Sequence, residues 1–279
     1  MSFIPFELER WQSVWEHRVR FNLSESGVHP LSAAELLGLS GGSLDELARL
    51  RLSYPQGNGS EELRERIAAL YPGATRDQVL VTVGSAEANF VACWALVERG
   101  DRVAIVSPAY RQTWGLARNT GAAIAEITLE ADRDWEPNPD EIERAIVRGT
   151  KLVIVTNPNN PTGRVLPAGA RDAILARVRA TGAWLLADEV YQGAERNGRT
   201  TPSFWGSYDK TLITNGLSKA YGLPGLRIGW IVGPADMIEA LWHRHDYAVI
   251  GPSRMSDFLG IQALRARDRV RILAIRVKS

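Results

Sequence analysis

Lys219 and Arg227 lie eight residues apart in a loop of small residues, Asn215–Gly216–Leu217–Ser218–Lys219–Ala220–Tyr221–Gly222–Leu223–Pro224–Gly225–Leu226–Arg227–Ile228–Gly229. A lysine partly withdrawn from water can lose its proton and attack a carbonyl carbon. An arginine presents a planar, permanently charged fork suited to a phosphate. One group for an aldehyde and one for a phosphate point toward pyridoxal 5'-phosphate. On their own they decide little, because most lysines are solvated surface charges.

Other residues extend the pattern. Gly84–Ser85–Ala86 follows an apolar run and opens a helical one, so its backbone N–H groups and the Ser85 hydroxyl can meet a phosphate at a helix N-terminus. Many strand-to-helix turns contain Gly–Ser, so this signal too is weak alone. Tyr110 follows Pro108–Ala109 and could lie on an aromatic ring, although packed tyrosines are commoner. Asn160 precedes Pro161 in a turn, where Asn often serves only its own backbone. Asp188 ends the run Trp184–Leu185–Leu186–Ala187, and a carboxylate at the end of a buried strand needs a partner. A protonated pyridine nitrogen would serve. Tyr191, three residues on, could donate to a phenolate oxygen.

The elements that must position these groups are short apolar strands alternating with amphipathic helices. Strands are expected over residues 79–83, 102–106, 122–129, 151–155, 184–187, 211–214 and 230–232. Helices are expected over residues 5–21, from Ser60 as N-cap to about 71, over 87–97 and 114–118, and over 139–147 and 168–180. Residues 31–52 hold short helical patterns broken by Gly41–Gly42. Near-continuous apolar strands interleaved with helices predict an α/β fold: three αβα layers around a mostly parallel, seven-stranded sheet. The polar, glycine-containing segments fall at the strands' C-terminal ends, where open α/β sheets bind ligands.

Composition narrows the field. The chain has 279 residues, 45% hydrophobic and 23% charged, with a formal net charge of +1. That balance gives no electrostatic case for nucleic acid or an anionic membrane. The single cysteine, Cys93, lies in an apolar run and reads as a small core residue. No apolar run reaches the ~18 residues of a membrane span, and the N-terminus lacks a signal pattern, so the expectation is a cytoplasmic protein. His29 has no second His or Cys at metal-binding spacing, so no metal is expected.

Together, Gly84–Ser85–Ala86, Pro108–Ala109–Tyr110, Asn160–Pro161–Thr162–Gly163, Asp188–Glu189–Val190–Tyr191, Ser218–Lys219 and Arg227 resemble the class I/II aminotransferases of fold type I, in the family's order, from about residue 20 to about 260. Ser26–Gly27–Val28–His29 and the stretch from Gly216 to Arg227 also resemble capreomycidine-synthase-like members, which act on arginine-derived amino acids. The resemblance implies pyridoxal 5'-phosphate as cofactor. It implies that Lys219 forms the internal aldimine and then moves a proton between the substrate Cα and the cofactor. Asp188 would keep the pyridine nitrogen protonated; Asn160 and Tyr191 would hydrogen-bond the ring oxygen, and Tyr110 would stack. Gly84, Ser85, Ala86, Ser218 and Arg227 would hold the phosphate. Tyr54 matches the tyrosine that reaches the neighbouring subunit's phosphate in a homodimer. Gly27 falls in the glycine loop near the substrate carboxylate, and Asn160–Pro161 is expected to be cis.

The match departs at the end. The family continues into a smaller C-terminal domain that carries the arginine for the substrate's α-carboxylate. Here Arg265, Arg267, Arg269, Arg271 and Arg276 read as the solvated face of a helix. The expected organisation is an N-terminal helix and substrate loop (1–35), a cofactor-binding large domain (36–250), and the start of an interdomain helix with a truncated small domain (251–279). The expected activity is transfer of an amino group between an amino acid and a 2-oxo acid. Elimination or cyclisation with the same cofactor is the alternative, as is a cofactor-binding chain with little turnover. A DNA-binding regulator of this fold would need an N-terminal helix-turn-helix or a basic excess, and the chain has neither.

Overall fold

The structure is a computed structural model and describes residues 3–276. Helices α1 (Glu7–Trp15), α2 (Ala33–Ser40), α3 (Leu44–Ala48) and α4 (Glu61–Ala68) precede the sheet. Then follow β1 (Val79–Val83), α5 (Gly84–Leu96), β2 (Arg102–Ser107), α6 (Gln112–Thr120), β3 (Ala123–Glu130) and β4 (Glu136–Pro137). Next come α7 (Pro139–Ala145), β5 (Thr150–Thr156), α8 (Ala168–Thr181), β6 (Trp184–Asp188), β7 (Thr211–Gly216) and β8 (Ile228–Val232). Helices α9 (Ala235–Ala248), α10 (Arg254–Arg265) and α11 (Arg267–Arg276) close the described chain.

The strand order is β1-β8-β7-β6-β5-β2-β3-β4. Seven strands match the expected set. The eighth, β4, is a two-residue edge that pairs Leu129 with Pro137 and Glu130 with Glu136. β8 runs antiparallel to both β1 and β7, while β7, β6, β5, β2 and β3 are parallel. Because β8 alone is reversed among the central strands, its first residues meet the last residues of its neighbours: Ile228 faces Val83 and Gly229 faces Gly216. Arg227, just before β8, is thereby delivered to the edge where β1 and β7 end.

Alternation along the strands splits the core between two faces. Val79, Val81, Ala104, Val106, Val153 and Val155 pack beneath α2, α4, α8 and α10, while Leu80, Val103, Ile105, Leu152 and Ile154 pack beneath α5, α6 and α9. Both faces are covered, which is why the strands read as continuous apolar runs. Ser60 caps α4 by accepting the Leu63 N–H at 3.4 Å, as expected, and Ser32 and Ser43 form capping boxes with Glu35 and Glu46.

Three expectations change in detail. The N-terminal helix ends at Trp15, not near residue 21, and buries no residue. The helix after β1 starts at Gly84 itself, earlier than expected, so that the Gly–Ser–Ala turn is its first turn. The basic C-terminal segment is not uniformly solvated. Val270 is in the core, Arg265 donates to Glu62 at 2.7 Å, and the Arg271 guanidinium lies against Gly193. Arg267 and Arg269 are exposed, and the side chain of Arg276 lies outside the described residues.

Candidate active site

The phosphate-type groups gather at the end of β1. Gly84 has φ +77°, a left-handed conformation that glycine adopts without strain. Its backbone lies directly against Gly229: a Cβ there would overlap the Gly84 carbonyl carbon and the Ser85 nitrogen. The Arg227 guanidinium rests on Gly84, in the space a side chain would fill. Arg227 is itself left-handed (φ +49°), an unusual state for a non-glycine residue, and its Nη1 donates to the Pro224 carbonyl at 3.1 Å and to Ser218 Oγ at 3.4 Å. Gly84, Ser85, Ala86, Ser218 and Arg227 are thus brought to one place, a cationic fork facing the first turn of α5.

Behind this turn lies Asp188, only 6% exposed. Its Oδ2 accepts from Asn89 Nδ2 at 2.9 Å and its Oδ1 from the Val190 N–H at 3.2 Å. Burial raises its proton affinity above the usual carboxylate range despite those two donors. Asn89 is fixed in turn, its Oδ1 accepting from Thr214 Oγ1 at 2.8 Å and its amide nitrogen 3.4 Å from Gln112 Oε1. Gln112 Nε2 donates to the Ala86 carbonyl at 2.7 Å, so one polar chain joins the β6 carboxyl to the α5 turn.

Lys219 follows β7. Its Nζ donates to Ser26 Oγ at 2.9 Å and to Glu25 Oε1 at 3.2 Å. Ser26 Oγ lies 2.9 Å from Tyr191 OH, which accepts from Asn160 Nδ2 at 3.0 Å. Burial alone would push the Glu25 carboxyl upward, but the Lys219 charge and the Gly27 N–H, 2.7 Å away, hold it below its ordinary range. Asn160–Pro161 is cis, as are Ser107–Pro108 and Asn157–Pro158. Beside Ser26, Asn160 and Tyr191 a cavity of about 500 Å³ opens toward Arg196.

The two remaining tyrosines of the expected set have other neighbours. The Tyr110 ring meets Phe6 edge-on at 5.1 Å, and its hydroxyl donates to Glu9, so α1 lies over it. Burial, with Glu9 beside it, pushes that phenol upward. Tyr54 is 86% exposed and touches none of the other expected site residues by hydrogen bond.

The model for the family described as aminotransferase class I and II matches residues 43–271. The chain belongs to that family. It is 32% identical over 263 residues to capreomycidine synthase of Streptomyces vinaceus, covering 94% of this chain and 68% of that protein. To aspartate/prephenate aminotransferase of Thermus thermophilus it is 28% identical over 230 residues, covering 81% of this chain and 60% of that protein. Among solved structures, a PLP-dependent aminotransferase from Streptococcus suis superposes with a TM-score of 0.92 at 28% identity, over 98% of this chain and 74% of that one. The PLP-dependent cyclase OrfR does so with a TM-score of 0.88 at 32% identity, over 99% of this chain and 72% of that one.

Pyridoxal 5'-phosphate is the cofactor of this fold type I family member, and the groups at the strand ends match it in kind. They comprise helix-start N–H groups with an arginine for a dianion, a buried carboxyl for a ring nitrogen, an amide and a phenol for a ring oxygen, and an amine for an aldehyde. Among the described residues no helix is long and apolar enough to cross a membrane.

Several partners of the site escaped the sequence: Asn89, Gln112 and Thr214 behind Asp188, Glu25 and Ser26 on Lys219, and Glu9 on Tyr110. Two left a signal: Asn89, an amide inside the otherwise apolar helical run from Ala88 to Ala92, and Ser26, within the stretch Ser26–Gly27–Val28–His29 that carries part of the resemblance.

Proposed function

We propose that this protein is a pyridoxal-phosphate-dependent aminotransferase that moves an amino group between an amino acid and a 2-oxo acid. The observation that carries this reading is the line Lys219–Ser26–Tyr191–Asn160, in which the amine, a hydroxyl, a phenol and an amide follow one another at 2.9, 2.9 and 3.0 Å. When bound, the cofactor supplies an aldehyde carbon and a ring that draws electrons from the substrate's Cα.

The chain's own residues do the rest. Lys219 Nζ would hold the cofactor through its aldehyde group and would serve as the base that moves a proton at the substrate's Cα. Asp188, kept in place by Asn89 and the Val190 N–H, accepts the ring nitrogen's hydrogen and compensates its charge. Asn160 Nδ2 and Tyr191 OH bind the ring oxygen, and Tyr110 covers the ring. Gly84, Ser85, Ala86 and Ser218 bind the phosphate with Arg227. Gly27, beside Glu25 and Lys219, borders the substrate. Residues 36–250 form the cofactor-holding unit, and two copies assemble as a homodimer in which Tyr54 reaches the neighbour's phosphate.

A second reading, elimination or cyclisation at the same site, is favoured by the 32% identity to both capreomycidine synthase and the PLP-dependent cyclase. The first experiment adds pyridoxal phosphate to the full chain and records absorption before and after borohydride, with mass mapping of the adduct. A label on Lys219 is the expected result, and its absence would overturn the assignment. An amino-acid screen that scores 2-oxo acid against ammonia and cyclic product separates the two reactions.

A further inference from the structure

His245 is fully buried on α9, a helix that carries none of the expected site residues. Its Nδ1 lies 3.0 Å from Glu87 Oε1 and its Nε2 3.1 Å from the Gly57 carbonyl oxygen. A carbonyl only accepts, so Nε2 carries a hydrogen. Glu87 Oε2 accepts the Val83 N–H at 2.5 Å, in the first turn of α5, where the helix dipole favours a carboxylate. One proton joins Nδ1 to Glu87 Oε1, and imidazole and carboxyl form a pair shielded from water, with side chains 0% and 9% exposed. Buried pairs of this kind add little net stability over an apolar replacement, and their better-attested use is to fix one arrangement of the backbone.

The backbone fixed here is specific. Val83 immediately precedes Gly84, so Glu87 holds the entry to the turn against which Arg227 rests. Gly57 belongs to the loop between Tyr54 and Ser60 and is pressed onto the end of α9: a Cβ there would lie 2.8 Å from the Ile250 carbonyl oxygen and 3.1 Å from Trp242 Nε1. The next residue, Asn58, accepts the Val81 N–H at 3.1 Å. His245 thus ties the turn after β1 to the loop that follows Tyr54.

We infer that His245 and Glu87 are positioning residues for the phosphate end of the bound cofactor. They hold the Val83–Gly84 turn so that the first N–H groups of α5 and the Arg227 fork face one point. This rests on the reading that those groups bind the phosphate. A clamp with a merely structural role would lower melting temperature when cut, yet would not alter the preference for a phosphorylated ligand over its unphosphorylated form.

The test titrates the full chain with pyridoxal 5'-phosphate and with pyridoxal, which lacks the phosphate, and records melting temperatures in parallel. Three variants are compared with wild type: Glu87→Ala, His245→Gln and Glu87→Gln. The first removes the tie to Val83. The second fills the volume but can serve only one of the two acceptors. In the third, the amide oxygen can still accept the Val83 N–H while its N–H faces a neutral Nδ1, so the geometry is kept.

Glu87→Ala and His245→Gln should raise the Kd for pyridoxal phosphate about tenfold or more, as expected for a charge-assisted bond lost, and shift that for pyridoxal by less than about twofold. Glu87→Gln should keep most of the wild-type affinity. Equal shifts for both ligands, no shift for either, or a Glu87→Gln variant as weak as Glu87→Ala would each overturn the positioning role. If Glu87→Ala does not fold, His245→Gln set against Glu87→Gln decides by the same comparison. A wild-type chain with no preference for the phosphorylated ligand would overturn the phosphate reading and this inference with it. Variants that retain a wild-type preference overturn the inference alone.

Discussion

Glu189, one residue past Asp188, is buried, and burial pushes its carboxyl from 4.5 up to about 7 even though Oε1 accepts from Ser203 Oγ at 3.0 Å and from the Phe204 N–H at 2.7 Å. The folded chain therefore keeps a proton that the unfolded chain releases between those two values. The stability this contributes is complete below 4.5 and is lost as pH rises to about 7, at most about 3 kcal/mol. Melting curves at pH 5 and pH 8 should differ in that direction. Glu189→Gln, whose oxygen can keep both hydrogen bonds, should shrink the difference, and an unchanged difference would place its origin elsewhere. For Lys219, replacement by Ala should abolish borohydride-fixed cofactor and lower turnover by about 10²-fold or more, so a Lys219→Ala chain with wild-type turnover would remove the proposed chemistry. Lys219, Asp188, Asn160 and Tyr191 were legible in the sequence because each follows a short apolar run, and the end of such a strand is where an α/β sheet exposes ligand-binding groups. Asn89 was not assigned a role, because an amide on a helix takes its meaning from the element it faces. Here that element is β6, 99 residues away in sequence.

Among the elements, reversal of β8 does most to build the site, and it depends on Gly229. The residue pairs with Gly216 and Thr82 in register, and its bare Cα lets the first peptide of α5 settle against the sheet. Gly229→Ala forces that peptide, a backbone group with no rotamer to escape into, away from Arg227. The expected cost is about 1–3 kcal/mol, of the size found for overpacked cores, with a larger proportional loss of affinity for pyridoxal phosphate than for pyridoxal. A Gly229→Ala chain with unaltered melting temperature and cofactor affinity would show that the turn is not held there. The sequence offered this glycine only as one of several in a loop; the need for it arises from a contact across the sheet. Strand β4 was illegible for a related reason. Two residues, one a proline, carry no periodicity, and their pairing exists only because β3 supplies an edge. Conversely, the strands of the central sheet were legible almost to the residue, since burial on both faces imposes an apolar run that polar flanks must end.

At the scale of the whole molecule, the outward residues bear on assembly. Helix α1 carries Leu8, Trp11 and Trp15 at spacings that share a helical face, exposed by 44%, 54% and 46%, and it buries none of its residues within the chain. Leu52 and Tyr54, at 78% and 86%, are more exposed still, although the loop that follows them is clamped through Gly57. Large apolar groups left out on well-formed elements are what an interface between copies requires. The expected outcome is that the chain sediments as a homodimer, and that Trp11→Glu together with Trp15→Glu yields a monomer. In the dimer, Tyr54→Phe should weaken pyridoxal phosphate binding about tenfold, the worth of one hydrogen bond to a charged group. In the monomeric background the same substitution should change nothing, because the phosphate that Tyr54 serves would belong to the other copy. A wild-type chain that sediments as a monomer, or a Tyr54→Phe effect that persists in the monomeric background, would confine the site to a single chain.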